Sequence, residues 1–215
     1  MLNPRHPDTS LDQVSYSYLT GVRAVGGKVW GFVWADDFQS PEAMFAFVLA
    51  WRKQSLENNC ALTGFIINCE DGWEAHDKAG EQWSKRFLDL FRSHPLTMKL
   101  SLGLNTYNGG GGIALYQWMR RGARLYYQTF HEGNTHEWPI DGGVDWAAQY
   151  GYTKRAQVKP HWGTYTPYPN RSEQIAAAVR AGTDGFAAWY AEGAGDPNDV
   201  LIPLLREARL AGVCG

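Results

Sequence analysis

The sequence predicts an α/β fold, a TIM-type (β/α) barrel with about six recognisable strand–helix units. Three observations point there. Apolar runs of strand length alternate with patterns of helical length, the signature of parallel strands joined by crossover helices. One run alternates apolar with small and polar residues, which suits a strand with helices on one face and a barrel interior on the other. Acids, amides and aromatic residues recur where the runs stop, and in parallel α/β folds the site lies at those carboxyl ends.

In chain order, strands are expected over Lys28–Asp36, Thr63–Glu70, Met98–Tyr107, Arg124–His131, Gln157–Tyr165 and Gly185–Glu192. A helix over Ser10–Val25 precedes the first. Others are expected over Pro41–Asn58, His76–Ser93, Ile113–Arg121, Val144–Tyr152, Arg171–Ala181 and Asp199–Ala211. Ser40-Pro41-Glu42 sets a cap before a first-turn proline, and Asn170-Arg171-Ser172-Glu173 has the spacing of a capping box. Gly122, Gly182 and Gly212 are natural helix stops. The helix from His76 carries Trp83, Phe87, Leu88, Leu90 and Phe91 on one broad stripe, as packing on a sheet requires.

The run Met98–Tyr107 separates a barrel from an open sheet. Met98, Leu100, Leu102 and Leu104 alternate with Lys99, Ser101, Gly103 and Asn105. An open doubly wound sheet meets helices on both faces and needs both apolar. In a barrel the second face looks inward, where small and polar side chains line a site near the top. A full barrel has eight strands. The two unaccounted for are hidden in the weakly patterned N-terminal residues, or the barrel is incomplete, or Met1 begins part-way through a larger ancestral domain.

The length fits one domain over residues 1–215, with no Pro/Ser-rich linker, charge run or low-complexity block. Twenty Lys and Arg against twenty-two Asp and Glu leave a formal charge of −2, which offers no long-range field to nucleic acid or anionic lipid. The longest apolar stretches are too short to span a bilayer, and no basic-then-apolar leader opens the chain, so a soluble protein without signal peptide or membrane partner is expected. Cys60, Cys69 and Cys214 lack metal-ligand spacing and read as thiols. The aromatic content, 14% with ten tryptophans and eleven tyrosines, suits either bulky core filling or the apolar faces of sugars.

The run ends read Trp34-Ala35-Asp36-Asp37, Asn68-Cys69-Glu70-Asp71-Gly72-Trp73-Glu74, Asn105-Thr106-Tyr107-Asn108, Gln128 to Glu132, His161-Trp162 and Trp189-Tyr190-Ala191-Glu192. Asn68 and Glu70, two apart on a strand, share a face, the interior one if Ile67 and Cys69 face the helices. A carboxyl group entering an aromatic cleft has its charged form disfavoured, so Glu70 is the expected proton donor. Glycosidic cleavage uses a second carboxylate, and Asp36 and Glu192, at the ends of the first and last runs, are the candidates. Trp34, Asn68, Trp73, Asn105, Tyr107, Gln128, His161, Trp162, Trp189 and Tyr190 are the expected substrate-binding residues. At least two of the strand-end rings Trp34, Trp73, Trp162, Trp189 and Tyr190 are expected to be partly exposed.

His131 and His161 raise a metal-dependent hydrolase as a third-ranked reading, but no His-Glu-x-x-His or Cys cluster accompanies them, and no metal or cofactor is expected. No Gly-x-Ser-x-Gly nucleophile turn is present, and Gly109 to Gly112 lack the Lys-Ser/Thr of a phosphate loop. They read as a loop beside the mouth.

Val29–Asp36 resembles the third strand, and Gly64–Glu70 the fourth, of family 25 glycoside hydrolases, the lysozyme-type muramidases, and related glycoside-hydrolase-like barrels. The resemblance follows the later two-thirds of that family's strand order. It implies that Glu70 is the acid/base, that the substrate is a peptidoglycan or other cell-wall polysaccharide, and that the chain is a phage-encoded lysin or tail component. The family's Asp-x-Glu is Asn68-Cys69-Glu70 here, and its first-strand acid has no counterpart. A non-catalytic barrel that binds glycan, or serves as a structural part of a larger assembly with protein partners, is therefore the alternative to a glycosidase.

Overall fold

A computed structural model describes residues 16–24, 26, 28–69, 77–106, 115–128, 158–164, 187–190, 206–207 and 209–212. The chain divides into two compact units, residues 1–104 with 109–123, and residues 105–108 with 124–215.

The first unit opens with helix α1 (Tyr16–Ala24), followed by strand β1 (Trp30–Trp34) and a single 3-10 turn, Ala35–Asp37. Helix α2 (Pro41–Glu57) leads to β2 (Gly64–Asn68), and helix α3 (Asp77–Ser93) leads to β3 (Ser101–Thr106). Helix α4 (Leu115–Arg120) follows. The strands stand in the order β1-β2-β3. β1 and β2 are parallel, with Cα partners running from Trp30 and Gly64 to Trp34 and Asn68. The strand–helix–strand alternation is the one the sequence predicts.

Local chemistry sets the helix ends. The Ser40 hydroxyl accepts from Ala43 N at 3.1 Å, and Pro41 occupies the first turn, where its missing N–H leaves no bond unmade. α2 stops at Asn58 and Asn59; the latter takes the left-handed conformation at φ 55°. Gly122, with φ 76°, closes α4, and its N–H donates to the Met119 carbonyl.

α2 and α3 pack on each other. Phe45 of α2 meets the Phe87 ring edge-on at 6.2 Å, and Phe87 stacks on Trp118 of α4 at 6.0 Å. Trp118 is wholly buried, and its indole N–H donates to Ser84 Oγ at 3.0 Å, which satisfies both groups. On the rim, Arg86 Nε donates to Glu42 Oε1 at 2.6 Å and holds that carboxyl below the usual range. Arg121 pairs with Asp89 at 2.6 Å, tying α4 to α3.

The face that β1 and β2 turn to the helices is fixed by one contact. Trp51 of α2 is wholly buried and meets Phe65 of β2 edge-on at 5.7 Å. A Cβ on Gly31 would lie 2.6 Å from the Phe65 ring and 3.2 Å from Trp51, so Gly31 leaves the space those rings occupy. Alternation then sends Trp30, Phe32, Trp34, Gly64, Ile66 and Asn68 to the opposite face. The Phe32–Trp34 ring contact at 6.1 Å agrees.

β3 starts later than the sequence predicts. Met98 N donates to His94 O and Leu100 N to Thr97 O, while the buried Thr97 hydroxyl donates to Phe91 O. These bonds hold 94–100 in turns, and Met98 is 63% exposed rather than facing the helices.

In the second unit β4 (Arg124–Gln128), β5 (Val158–Thr164) and β6 (Ala187–Tyr190) run parallel, in that order. All six predicted strands are thus present, and among the described residues β1, β2 and β3 begin later than expected. Arg206, Glu207, Arg209 and Leu210 are helical, and Gly212 beyond them has φ 77°. The helices expected over Val144–Tyr152 and Arg171–Ala181 lie outside the described residues. Among the described residues no helix is long and apolar enough to cross a membrane.

Gly64 tests the close approach of β2 to its neighbours. A Cβ there would collide with the Ser101 carbonyl, which is backbone and cannot swing away, and would lie 2.7 Å from the Trp30 ring. Gly64→Ala should destabilise the protein by about 1–3 kcal/mol in urea unfolding. Gly21→Ala, with nothing within 4 Å of the added carbon in α1, should instead be neutral or stabilise by up to about 1 kcal/mol. Equal effects would remove the packing account.

Candidate functional site

The carboxyl ends of β1 and β2 lie side by side, with Trp34 and Asn68 as register partners on the face turned away from α2. Trp34 is half-buried and Asn68 wholly buried. Behind Trp34 the Phe32 and Trp30 rings continue the row along β1. Sequence reasoning singled out Trp34 and passed over these two, although the Trp-x-Phe-x-Trp spacing alone puts all three on one face of a strand.

Beyond Trp34 the chain turns at once. Phe38 N donates to Ala35 O at 3.2 Å, Ala35 is buried, and Phe38 packs on Phe47 of α2 at 5.4 Å. The turn is thereby pinned at both ends, and it presents Asp36 to solvent with Asp37 half-buried beside it. Asp36 is thus an exposed carboxyl group at the carboxyl end of the first strand, where the sequence predicts a catalytic partner.

Asn68 has a fully desolvated amide. A neutral amide tolerates this when hydrogen-bonded, whereas a carboxylate at the same point would carry a desolvation penalty. The next residue, Cys69, is buried, and neither Cys60 nor Cys69 is in a disulfide. Glu70 and Trp73 lie outside the described residues.

Trp34 carries an anomaly. Its indole N–H is covered and, among the described residues, meets no hydrogen-bond acceptor. Leaving such a donor unpaired costs about 1–3 kcal/mol, so an orphan of this kind calls for a physical reason.

In the second unit Asn105 and Thr106 end β3, and both are wholly buried. Gln128 of β4 pairs in register with His161 of β5, so these two predicted residues are brought together, backbone to backbone. Trp162 pairs with Ala188, and Tyr190 with Thr164. Trp189 lies opposite Gly163. Tyr107, His131 and Glu192 lie outside the described residues. Among the described residues no three His, Cys, Asp or Glu side chains gather as a metal site needs.

No protein-family model and no curated protein matches this chain. Its fold is similar to that of a solved protein from Bacteroides fragilis named as a "putative alpha-galactosidase". The TM-score is 0.52 at 12% sequence identity, over 84% of this chain and 45% of that one. The chain therefore spans less than half the length of that protein, and at this identity the likeness is one of fold alone.

Proposed function

We propose that this chain is a glycoside-hydrolase-like (β/α) barrel that acts on a polysaccharide, with Glu70 as the acid and Asp36 or Glu192 as the second carboxylate. The observation that carries the reading is the register of Trp34 with Asn68 at the ends of β1 and β2. From that pair, two residues along each chain leads to a carboxyl group, Asp36 in one case and Glu70 in the other. Barrel closure, as part of the proposal, draws support from strands that follow sequence order. Successive crossovers of one hand keep helices on the same side of a sheet and curl it. The fold likeness to a protein named as a glycosidase adds to it.

In the proposed reaction the Glu70 carboxyl group protonates the glycosidic oxygen as the bond to the anomeric carbon breaks. The second carboxylate attacks that carbon or takes a proton from the water that does. Aromatic strand-end residues, Trp34 and, by the same proposal, Trp73, Trp162, Trp189 and Tyr190, bind the sugar chain, with Asn105, Tyr107, Gln128 and His161 as polar contacts. Cell-wall polysaccharide is the substrate proposed on the family 25 resemblance, and a phage lysin the corresponding role.

A second reading has its own observation. Asn68 is wholly buried and neutral where the resemblance has an Asp, which favours a barrel that binds glycan without cleaving it, as part of a larger assembly.

Glu70→Gln should lower release of reducing ends by about 10²–10⁴-fold, the scale of losing a general acid, and leave glycan binding within a few-fold. Equal activity in variant and parent removes Glu70 from the role; binding without any release in the parent selects the second reading. Asn68→Asp probes the buried strand end. A desolvated carboxyl group has a folded pKa above its unfolded value of about 3.9, so the variant is least destabilised below that pH. The loss should grow as pH rises and reach about 2–4 kcal/mol at pH 7, measured by urea unfolding across the range. A loss independent of pH would show that the new carboxyl group finds a compensating donor.

A further inference from the structure

We propose that Tyr116, with Glu81 and Gln117 at its rim, is an outlying sugar platform: one neutral unit of a polysaccharide packs on the ring while its hydroxyls bond to the rim. The inference rests on the glycan reading above and adds to it a second point of contact, on the helices rather than at the strand ends.

Three contacts in step, Glu81 with Tyr116, Ser84 with Trp118 and Asp89 with Arg121, set α3 and α4 side by side and pointing the same way. Each helix follows a strand in β/α order, so its start stands at the carboxyl end of the strands. Glu81, Tyr116 and Gln117 lie near those starts, at the end of the sheet where β1 and β2 carry Trp34 and Asn68. The interior contact between the two helices is made by Trp118 stacked on Phe87. Tyr116 instead stays at the surface, 40% exposed.

The ring is held before any ligand arrives. Its hydroxyl donates to Glu81 Oε1 at 2.8 Å, and Gln117 Nε2 donates to the hydroxyl oxygen at 3.2 Å and to Glu81 Oε1 at 3.4 Å. The Arg120 guanidinium, one turn on, lies over the ring 5.8 Å from its centre. Helical side chains lean toward the helix start, so Arg120 backs the ring from the C-terminal side and leaves the face toward the strand carboxyl ends. A fixed ring with one face open suits the apolar C–H face of a pyranose and loses little freedom on binding. The rim serves hydroxyls of both roles, since the carboxylate accepts and the amide and guanidinium donate. Glu81 and Arg120 carry opposite charges, which favours a neutral sugar over an acidic or basic one.

Chitohexaose and galactohexaose are the probes, with binding followed by calorimetry on the full chain. Tyr116→Ala removes the platform and should weaken binding of the responding hexasaccharide roughly three- to tenfold, the scale of one ring contact. Tyr116→Phe keeps the ring, loses the bond to Glu81 and should bind within about twofold of the parent. In the parent protein the bound hexasaccharide should also protect Tyr116 from nitration by tetranitromethane, read by peptide mass spectrometry, a measurement that needs no variant to fold. Unchanged binding in Tyr116→Ala, equal loss in the Ala and Phe variants, or nitration of Tyr116 unaffected by a bound hexasaccharide overturns the inference and leaves the glycan reading standing. A parent that binds neither probe overturns both.

Discussion

The wedge of Trp51 against Phe65, in the space that Gly31 leaves open, is the constraint on which the candidate site depends. It decides which face of β1 and β2 looks at α2. Because side chains alternate with a period of two, that single decision orients every residue of both strands, and a slip of one residue would invert them all. With Phe65 committed to the helix side, Asn68 three residues on is committed to the other, and the parallel register brings Trp34 beside it. The helices contribute indirectly. Phe45, Phe87 and Trp118 lock α2, α3 and α4 together, which holds Trp51 in place.

Much of this was legible in the sequence because it is local. Apolar runs gave the six strands; Ser40-Pro41 gave the start of α2, and Gly122 the end of α4, since caps and left-handed stops are short-range chemistry. The alternation at 98–104 misled at its start, because Thr97 and His94 take the neighbouring backbone groups into turns before pairing begins. Periodicity shows which residues share a face and not which face meets the helices. That direction comes from Trp51, fourteen residues before Phe65 on another element, a tertiary contact no spacing encodes. The burial of Asn68 was illegible for a related reason. The spacing places Asn68 on the interior face as a substrate contact, and only the surrounding packing closes it off.

Along β1, then, the chemistry divides by solvation. The strand carries rings, its partner end on β2 carries a buried amide, and formal charge begins only where the chain leaves the sheet at Asp36. This order follows from what each group loses on leaving water: little for a ring, a recoverable amount for a hydrogen-bonded amide, and far more for an unpaired carboxylate. A carboxylate on the strand itself would need a cation or several donors to stay ionised, whereas one on the turn stays hydrated until a ligand displaces its water. The turn therefore holds Asp36 exposed, clear of the sheet beneath it. It needs firm anchoring instead, and the Phe38–Phe47 contact with the Ala35–Phe38 hydrogen bond provides it. Neutral groups are thus placed by the strands, and the carboxyl group of Asp36 by the turn beyond β1.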